Sequence, residues 1–168
     1  LPLLIWAAVL GIVRVTVAPA ELCGPGSAES FRDTALDAAG WLKANQFDDG
    51  SYVYIYDRDE DALPDDYNIV RHAGVTMSLY QVAGRLGDAA SFEAAERGTA
   101  YLIENMHYHD DWGGPVEGGN IKVGTAALMT IALAERRLLT GEDTYDDVMR
   151  ALGRFLLAQQ KEAGDGRK

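Results

Sequence analysis

The sequence has few cysteines and few basic residues, and each shortage excludes a class of protein. Cys23 is the only cysteine in 168 residues, so the chain cannot form an intramolecular disulfide framework. Lysine and arginine number 15 against 26 acidic residues, which gives a formal net charge of −11 at pH 7. Binding of nucleic-acid phosphates needs clustered basic side chains, and none denser than Arg136-Arg137 occurs. We therefore expect no nucleic-acid partner and an acidic, solvated surface.

Metal-binding patterns are weak as well. Residues 57–61 are acidic like the start of an EF-hand loop, but Ala62 stands where that loop needs glycine, and Asn68 where it needs glutamate. His107 and His109 lie two residues apart without the spacing of a zinc site. We predict no metal ion and no cofactor, and we expect the acidic stretch to be a surface turn.

The first twenty residues differ in character from the rest. Residues 1–17 are almost wholly apolar, with Arg14 their only charged residue, and Ala18-Pro19-Ala20 has the small residues at which a signal peptidase cuts. Residues 1–20 are predicted to be either a secretory signal or a short membrane anchor that contacts the bilayer if it is not removed. In both cases we expect an extracytoplasmic protein, secreted or anchored, with a linker over residues 21–28.

A segment recurs along the rest of the chain. Its copies have an aromatic residue followed by leucine, and they lie 60 and 54 residues apart: Trp41-Leu42, Tyr101-Leu102 and Phe155-Leu156. Such repetition predicts stacked supersecondary units, because a single unit cannot bury its own apolar face. The third copy is incomplete, so we expect further repeats of the same protein beyond residue 168. The last predicted helix should then expose an unpartnered apolar face, made of Leu152, Phe155 and Leu156.

Five stretches with apolar residues at three- and four-residue steps predict helices. They cover about residues 29–45, 66–86, 90–106, 122–139 and 144–161. Asp66 is the expected N-cap of the second, and Thr144 with Asp147 forms a weak capping box in the fifth. The second and fourth are the most apolar and follow long connections, which predicts inner helices of helical hairpins. Alternation over residues 51–56 predicts a short strand.

Together these features resemble the α/α-toroid proteins, which include six-hairpin glycosidases, sugar epimerases, terpenoid cyclases and protein prenyltransferases. The resemblance is carried by the repeated aromatic anchor, by Asp49-Gly50-Ser51-Tyr52 after its first copy, by Tyr67-Asn68 ahead of Arg71-His72-Ala73-Gly74, and by residues 121–128. It implies an all-α domain over residues 29–168, an incomplete α/α toroid of about two and a half hairpins with a short β element. An apolar N-terminal helix would precede this domain.

The resemblance implies a carbohydrate-active protein, either a glycoside hydrolase or a sugar epimerase, that acts on a cell-envelope glycan or a uronic-acid-like substrate. One alternative is a non-catalytic helical-repeat module that binds a glycan or a partner protein. Another is a terpenoid-cyclase-like toroid, although the acidic Asp-x-Asp-Asp motif of the protonating cyclases is absent. The zinc-binding cysteine of a prenyltransferase is absent from the repeat region too.

The first candidate site lies at the start of the second predicted helix. Helical spacing brings Asn68, Arg71 and His72 to one helix end, where Arg71 would hold a carboxylate and His72 would transfer a proton. Tyr67 and Asn68 would bind hydroxyl groups, and the helix N-terminus would favour an anion. The same residues also fit a structural network that holds the helix start. Tyr54 is assigned to substrate binding, and Asp65 and Asp66 to catalysis.

The second candidate site is the connection over residues 107–120. Asp110, Asp111 and Glu117 would supply acid and base, and Trp112 a platform for a sugar ring. In a hydrolase, one carboxylic acid would protonate the leaving oxygen while a carboxylate activates water. In an epimerase, His72 or Tyr67 would move the proton. The alternative is a glycine-rich, solvated surface loop.

Overall fold

The computed structural model describes residues 2–16 and 26–160. The described part is mostly helical with a small antiparallel sheet in the order β1-β2-β3, which confirms the all-α class in its broad sense. The helices are α1 (Pro2–Thr16), α2 (Ala28–Ala44), α3 (Ile69–Leu86), α4 (Ala89–Glu104), α5 (Val123–Thr140) and α6 (Asp146–Ala158). The strands are β1 (Met106–His109), β2 (Trp112–Glu117) and β3 (Asn120–Ile121).

Two compact units divide the chain between Asp33 and Thr34, a boundary that falls within α2. The first unit contains α1, whose large apolar side chains are exposed. Among the helices that the structure describes, none has both the length and the apolar character needed to cross a membrane. The predicted cleavage site, Cys23 and Asp165-Gly166 of the third repeat copy lie outside the described residues.

The second unit is built on two helical hairpins, α3–α4 and α5–α6. Helix α3 packs against both α4 and α5, while α6 packs against α5 and β2. Helices α3 and α5 both end at a left-handed glycine, Gly87 (φ 71°) and Gly141 (φ 73°), whose N–H groups donate back to the last turn over 3.0 and 2.8 Å. This C-cap turns the chain within a few residues and explains the short connections.

Two buried clusters form the core of this unit. One lies between α3, α4, α5, α6 and the sheet, and it includes Leu102, Met129, Leu133, Leu152 and Phe155. The other lies between α2, α3 and α4. It contains Ala39, Tyr52, Leu79, Tyr80, Ala94, Ala95 and Ala132.

An ion pair of the buried Arg136 with the half-buried Glu96 connects the helices around the second cluster. The Arg136 guanidinium donates to both carboxylate oxygens of Glu96, over 2.8 and 3.2 Å, and to Glu142 over 3.0 Å. It also lies 5.0 Å from the ring centroid of Tyr145. Glu96 accepts a further hydrogen bond from Tyr80, on α3. The hydrogen bonds that Arg136 donates to Glu96 hold the pKa of Arg136 above its usual value, so the guanidinium stays charged while it links α4 to α5.

The sequence repeat is visible in the hydrogen bonds that end α2 and α4. Asn45 and Asn105 each donate from Nδ2 to the carbonyl of the aromatic anchor four residues earlier, over 2.8 Å in both cases. The carbonyl of Asn45 accepts the N–H of Val53 (2.9 Å), and that of Asn105 accepts the N–H of Val116 (3.0 Å). Helices α2 and α4 therefore lead into an extended segment in the same way.

Three expected features of the secondary structure are wrong: the start of one helix, a strand and the start of another helix. Helix α3 begins at Ile69, and its N-cap is Asn68, not Asp66. Asn68 Oδ1 accepts the N–H groups of Val70 and Arg71, over 3.1 Å each. The predicted strand over residues 51–56 is absent, and this region has only the isolated pairs Gln46–Tyr52 and Asp57–Ala62. Helix α6 begins at Asp146 without a side-chain cap.

The glycine-rich segment after α4 is a sheet and not a solvated loop. Gly118 and Gly119 both have positive φ (58° and 80°), which is the two-residue hairpin turn that joins β2 to β3. A Cβ at Gly113 would lie 2.6 Å from the His107 carbonyl oxygen, and one at Gly114 would lie 2.6 Å from Ile121. Glycine is required here because the strands pack closely.

The expectation of an unpartnered face on the last helix is also wrong. Leu152 is fully buried and Phe155 is 4% exposed. Strand β2 packs on this side of α6, where the ring of Trp112 lies 5.6 Å from that of Phe155. The sheet therefore covers the face that sequence periodicity left without a partner.

Candidate ligand-binding pocket at the start of α3

A pocket of about 190 Å³ lies between the end of α2, the extended segment that follows it and the first turns of α3. Four of the predicted binding residues, Tyr54, Tyr67, Asn68 and Arg71, line it together with His72. The remaining lining residues are Trp41, Leu42, Asn45, Tyr52, Val53 and Val75.

His72 is 2% exposed, and both of its ring nitrogens are engaged. Nε2 lies 2.8 Å from the Gly98 carbonyl oxygen, which can only accept, so Nε2 carries the proton. Nδ1 lies 2.6 Å from the Tyr67 hydroxyl and therefore accepts its hydrogen. The Tyr67 oxygen in turn accepts the N–H of Tyr52 over 3.1 Å. This relay connects the pocket wall through α3 to α4.

Burial moves the pKa values of the relay away from neutrality. It lowers the pKa of His72 to about 4, even though the hydrogen bond to Gly98 and the charge of Asp49 oppose the change. Burial also raises the pKa of the Tyr67 hydroxyl well above its usual value. At pH 7 the imidazole is neutral and the phenol is protonated, so neither has the pKa near the working pH that favours proton transfer.

Two aromatic rings contact His72, and Gly98 lets α4 come close to it. Its ring stacks on Tyr101 at 4.7 Å and meets Tyr52 edge-on at 4.9 Å between centroids. A Cβ at Gly98 would lie 2.5 Å from Thr76 Oγ1 and 2.6 Å from the Tyr52 hydroxyl oxygen. Only glycine at this position lets α4 approach closely enough to accept the histidine hydrogen bond.

The N-terminus of α3 has no free N–H group in its first turn. Ile69 donates to Glu117 Oε1 over 2.6 Å, and the following two N–H groups donate to the side chain of Asn68. Lys122 pairs with the second carboxylate oxygen of Glu117. The expected anion site at this helix end is therefore filled by the protein's own carboxylate.

Arg71 is exposed and lies beside the ring of Tyr54. Its guanidinium carbon lies 5.0 Å from the ring centroid of Tyr54, and no carboxylate within the described ranges pairs with it. Trp41 is 61% exposed and forms part of the pocket wall. Sequence reasoning did not assign Trp41 to the site, although an aromatic anchor at the exposed end of a helix was a usable signal.

The other predicted residues lie elsewhere. Asp65 and Asp66 are exposed and line a neighbouring pocket of about 230 Å³, which shares Tyr54 and Tyr67 with the first. Asp110 and Asp111 form the β1–β2 turn, and the residues of both pockets include neither of them.

Three of the predicted residues have structural contacts. Asp111 lies 3.4 Å from Arg154 on α6, and Trp112 packs on Phe155. Glu117 caps α3. The six predicted catalytic residues are thus spread over the relay, the neighbouring pocket, a β-turn and a helix cap.

Within residues 2–16 and 26–160, no group of three or more histidine, cysteine, aspartate or glutamate side chains is arranged to hold a metal ion. Comparison of the chain with protein-family models, with curated proteins and with solved structures finds no match. The functional proposal therefore depends on the chemistry of the pocket itself.

Proposed function

We propose that this protein binds an anionic sugar, a uronic-acid-like unit of a glycan, in the pocket at the start of α3. The observation that carries the proposal is the Arg71 guanidinium, which has no carboxylate partner in the described part of the chain and lies in a pocket walled by Trp41 and Tyr54. Arginine presents a planar fork of donors that matches a carboxylate. The aromatic side chains offer apolar surface to the face of a sugar ring.

The size and polarity of the pocket agree with one sugar unit. Its volume of about 190 Å³ is below the roughly 300–1,000 Å³ usual for drug-sized ligands. Asn68 uses its side-chain oxygen for the helix cap, which leaves its NH₂ group to donate to a hydroxyl. A carboxylate on Arg71 and a hydroxyl near Asn68 would orient the ring.

The geometry favours binding over catalysis. Hydrolysis of a glycoside normally needs two carboxyl groups beside the scissile bond, and no carboxylate lines this pocket. Both ring nitrogens of His72 are already hydrogen-bonded, so it is not a free base. Glycoside hydrolase, sugar epimerase and terpenoid-cyclase-like activities stay predictions from the resemblance.

The hairpin arrangement supports a relationship to the α/α-toroid proteins. The inner helices α3 and α5 lie side by side, and each turns back into an outer helix. We accordingly propose a helical-repeat module of this type that acts outside the cytoplasm on a glycan. Membrane contact through residues 1–20 and further repeats stay predictions.

Calorimetric titration with glucuronic and galacturonic acid oligomers tests the proposal. We expect wild-type protein to bind them and to bind glucose oligomers at least about tenfold more weakly, because glucose has no carboxylate for Arg71. Arg71→Gln should weaken uronate binding by about tenfold or more while glucose binding stays the same.

Arg58→Gln is the matched control, since it removes the same charge from a fully exposed turn that lines neither pocket. Its affinity for uronates should equal that of wild type. Equal losses in the two variants, or equal affinity for charged and neutral oligomers, would show that the pocket does not recognise a carboxylate.

A further inference from the structure

The pocket at the start of α3, which we call the first pocket, shares part of its wall with a second pocket of about 230 Å³. The residues that line both are Tyr52, Val53, Tyr54 and Tyr67. The rings of Tyr54 and Tyr67 lie 6.3 Å apart between centroids. Because the two cavities adjoin at these residues, a ligand longer than one sugar unit can occupy both.

The second pocket combines apolar walls with two carboxylates. Phe47, Ile55 and Leu63 line it and are 46%, 38% and 49% exposed, so they offer apolar surface to a ligand. Asp65 and Asp66 line it as well and are exposed. Apolar side chains suit the face of a sugar ring, while carboxylates accept hydrogen bonds from hydroxyl or ammonium groups. The cavity is therefore suited to a sugar unit that donates hydrogen bonds.

The two aspartates of the second pocket differ from other acids of the same connection, which shape the backbone. Asp49 Oδ1 accepts the N–H and the hydroxyl of Ser51 over 2.9 and 2.6 Å. Asp57 Oδ1 accepts two backbone N–H groups of its own turn over 2.9 and 3.1 Å. Among the described residues, no basic side chain pairs with Asp65 or Asp66. Their charges are thus not used by an ion pair of the described chain.

Charges of opposite sign lie on the two sides of the shared wall. The Arg71 guanidinium carbon lies 5.0 Å from the ring centroid of Tyr54, in the first pocket. Asp65 and Asp66 belong to the second pocket only. A ligand that matches both pockets has a carboxylate on one unit and a positive group on the next. A second carboxylate would instead meet charges of its own sign.

We propose that the second pocket binds the next sugar unit of the glycan, and that this unit carries a free, protonated amino group. The inference rests on the proposed uronate site at Arg71, because that site fixes where the neighbouring unit lies. The ammonium group donates to Asp65 and Asp66, and the ring lies against the apolar walls. The preferred glycan therefore alternates a uronic acid with an amino sugar. The net charge of −11 further disfavours a glycan in which every unit is acidic.

Calorimetric titration with two disaccharides tests the second pocket. One joins glucuronic acid to glucosamine with a free amine, and the other is its N-acetylated form, which lacks the positive charge. At about pH 6 the free amine is protonated, and about 0.15 M salt screens attraction over long distances. Wild type should bind the free-amine disaccharide at least about tenfold more tightly than the N-acetylated one.

The double variant Asp65→Asn, Asp66→Asn should bind the two disaccharides with equal affinity. Both positions are exposed, so the variant should unfold at the same temperature as wild type. Asp59→Asn combined with Glu60→Gln is the matched control. It removes the same two charges from an exposed turn that lines neither pocket, and it should keep the preference of wild type.

Arg71→Gln separates this inference from the proposed function. It should weaken the binding of both disaccharides by the same factor and leave their affinity ratio unchanged. Equal affinities in wild type, a preference that survives in the Asp65 and Asp66 variant, or a preference lost in the control would overturn the amino-sugar pocket alone. Full affinity of Arg71→Gln for both disaccharides would overturn the uronate site, and with it the alternating glycan.

Discussion

Glu117, the last residue of β2, accepts a hydrogen bond from the backbone N–H of Ile69, the first residue of α3, over 2.6 Å. The two residues are 48 positions apart in the sequence. Ile69 belongs to the buried core, and the second oxygen of Glu117 pairs with Lys122. The sheet therefore caps the helix that carries the pocket, and this carboxylate has a structural task.

Removal of this cap should destabilise the fold. We expect Glu117→Ala to lower the free energy of unfolding by about 1–2 kcal/mol, because the N–H of Ile69 loses its acceptor. Glu117→Gln retains an oxygen acceptor and should lose less. Urea denaturation at neutral pH measures both. Glu104→Ala, at an exposed position of α4, should stay within about 0.5 kcal/mol of wild type, and an equal loss there would contradict the capping role.

Stability should fall as the pH falls below the ordinary pKa of histidine. The pKa of His72 is about 4 in the folded chain against a usual 6.5. Between these values the unfolded chain binds a proton that the folded chain does not. The free energy of unfolding should therefore decrease by up to about 1.4 kcal/mol per pH unit from about pH 6.5 down to about pH 4.

Comparison with a variant separates this effect from the titration of the acidic residues. His72→Gln removes the imidazole, so its stability relative to wild type should improve as the pH is lowered from about 7 to about 5. Thermal unfolding at several pH values provides the data, and parallel curves for wild type and His72→Gln would refute the assignment.

Gly98 should not tolerate a methyl group. Gly98→Ala would place Cβ within 2.6 Å of Thr76 Oγ1 and of the Tyr52 hydroxyl oxygen, and we expect a loss of about 1–3 kcal/mol in unfolding free energy. Gly153→Ala is the matched control, because no atom lies within 4 Å of its Cβ position in α6. It should stabilise the helix by about 0.5–1 kcal/mol. Denaturant titration of both variants measures these changes. An unfolding free energy of Gly98→Ala equal to that of wild type would contradict the close packing at Gly98.

Helix periodicity predicts the bounds of α5 well, because the periodicity depends on residues a few positions apart. The expected range of 122–139 differs by one residue at each end from α5, Val123–Thr140. The start of α3 is less predictable, since Asp66 and Asn68 are both good caps. Its position depends on Glu117, which reaches Ile69 from a distant strand.

The sheet was the main omission. Gly118-Gly119 is a recognised hairpin signal, yet the surrounding glycines and charges indicate a loop. Because the sheet was missing from the prediction, the apolar face of α6 had no partner, whereas β2 in fact buries Leu152 and Phe155.

Sequence alone identified the helical hairpins, their repeat and the polar cluster from Tyr67 to His72, since these depend on residues a few positions apart. It could not assign the partners of those side chains. Gly98 on α4 fixes the tautomer of His72, Glu117 on β2 occupies the end of α3, and Trp41 on α2 completes the pocket. Each of these contacts joins distant segments. Only the packing of helices and sheet therefore shows which polar groups are hydrogen-bonded and which, like the Arg71 guanidinium, have no carboxylate partner among the described residues.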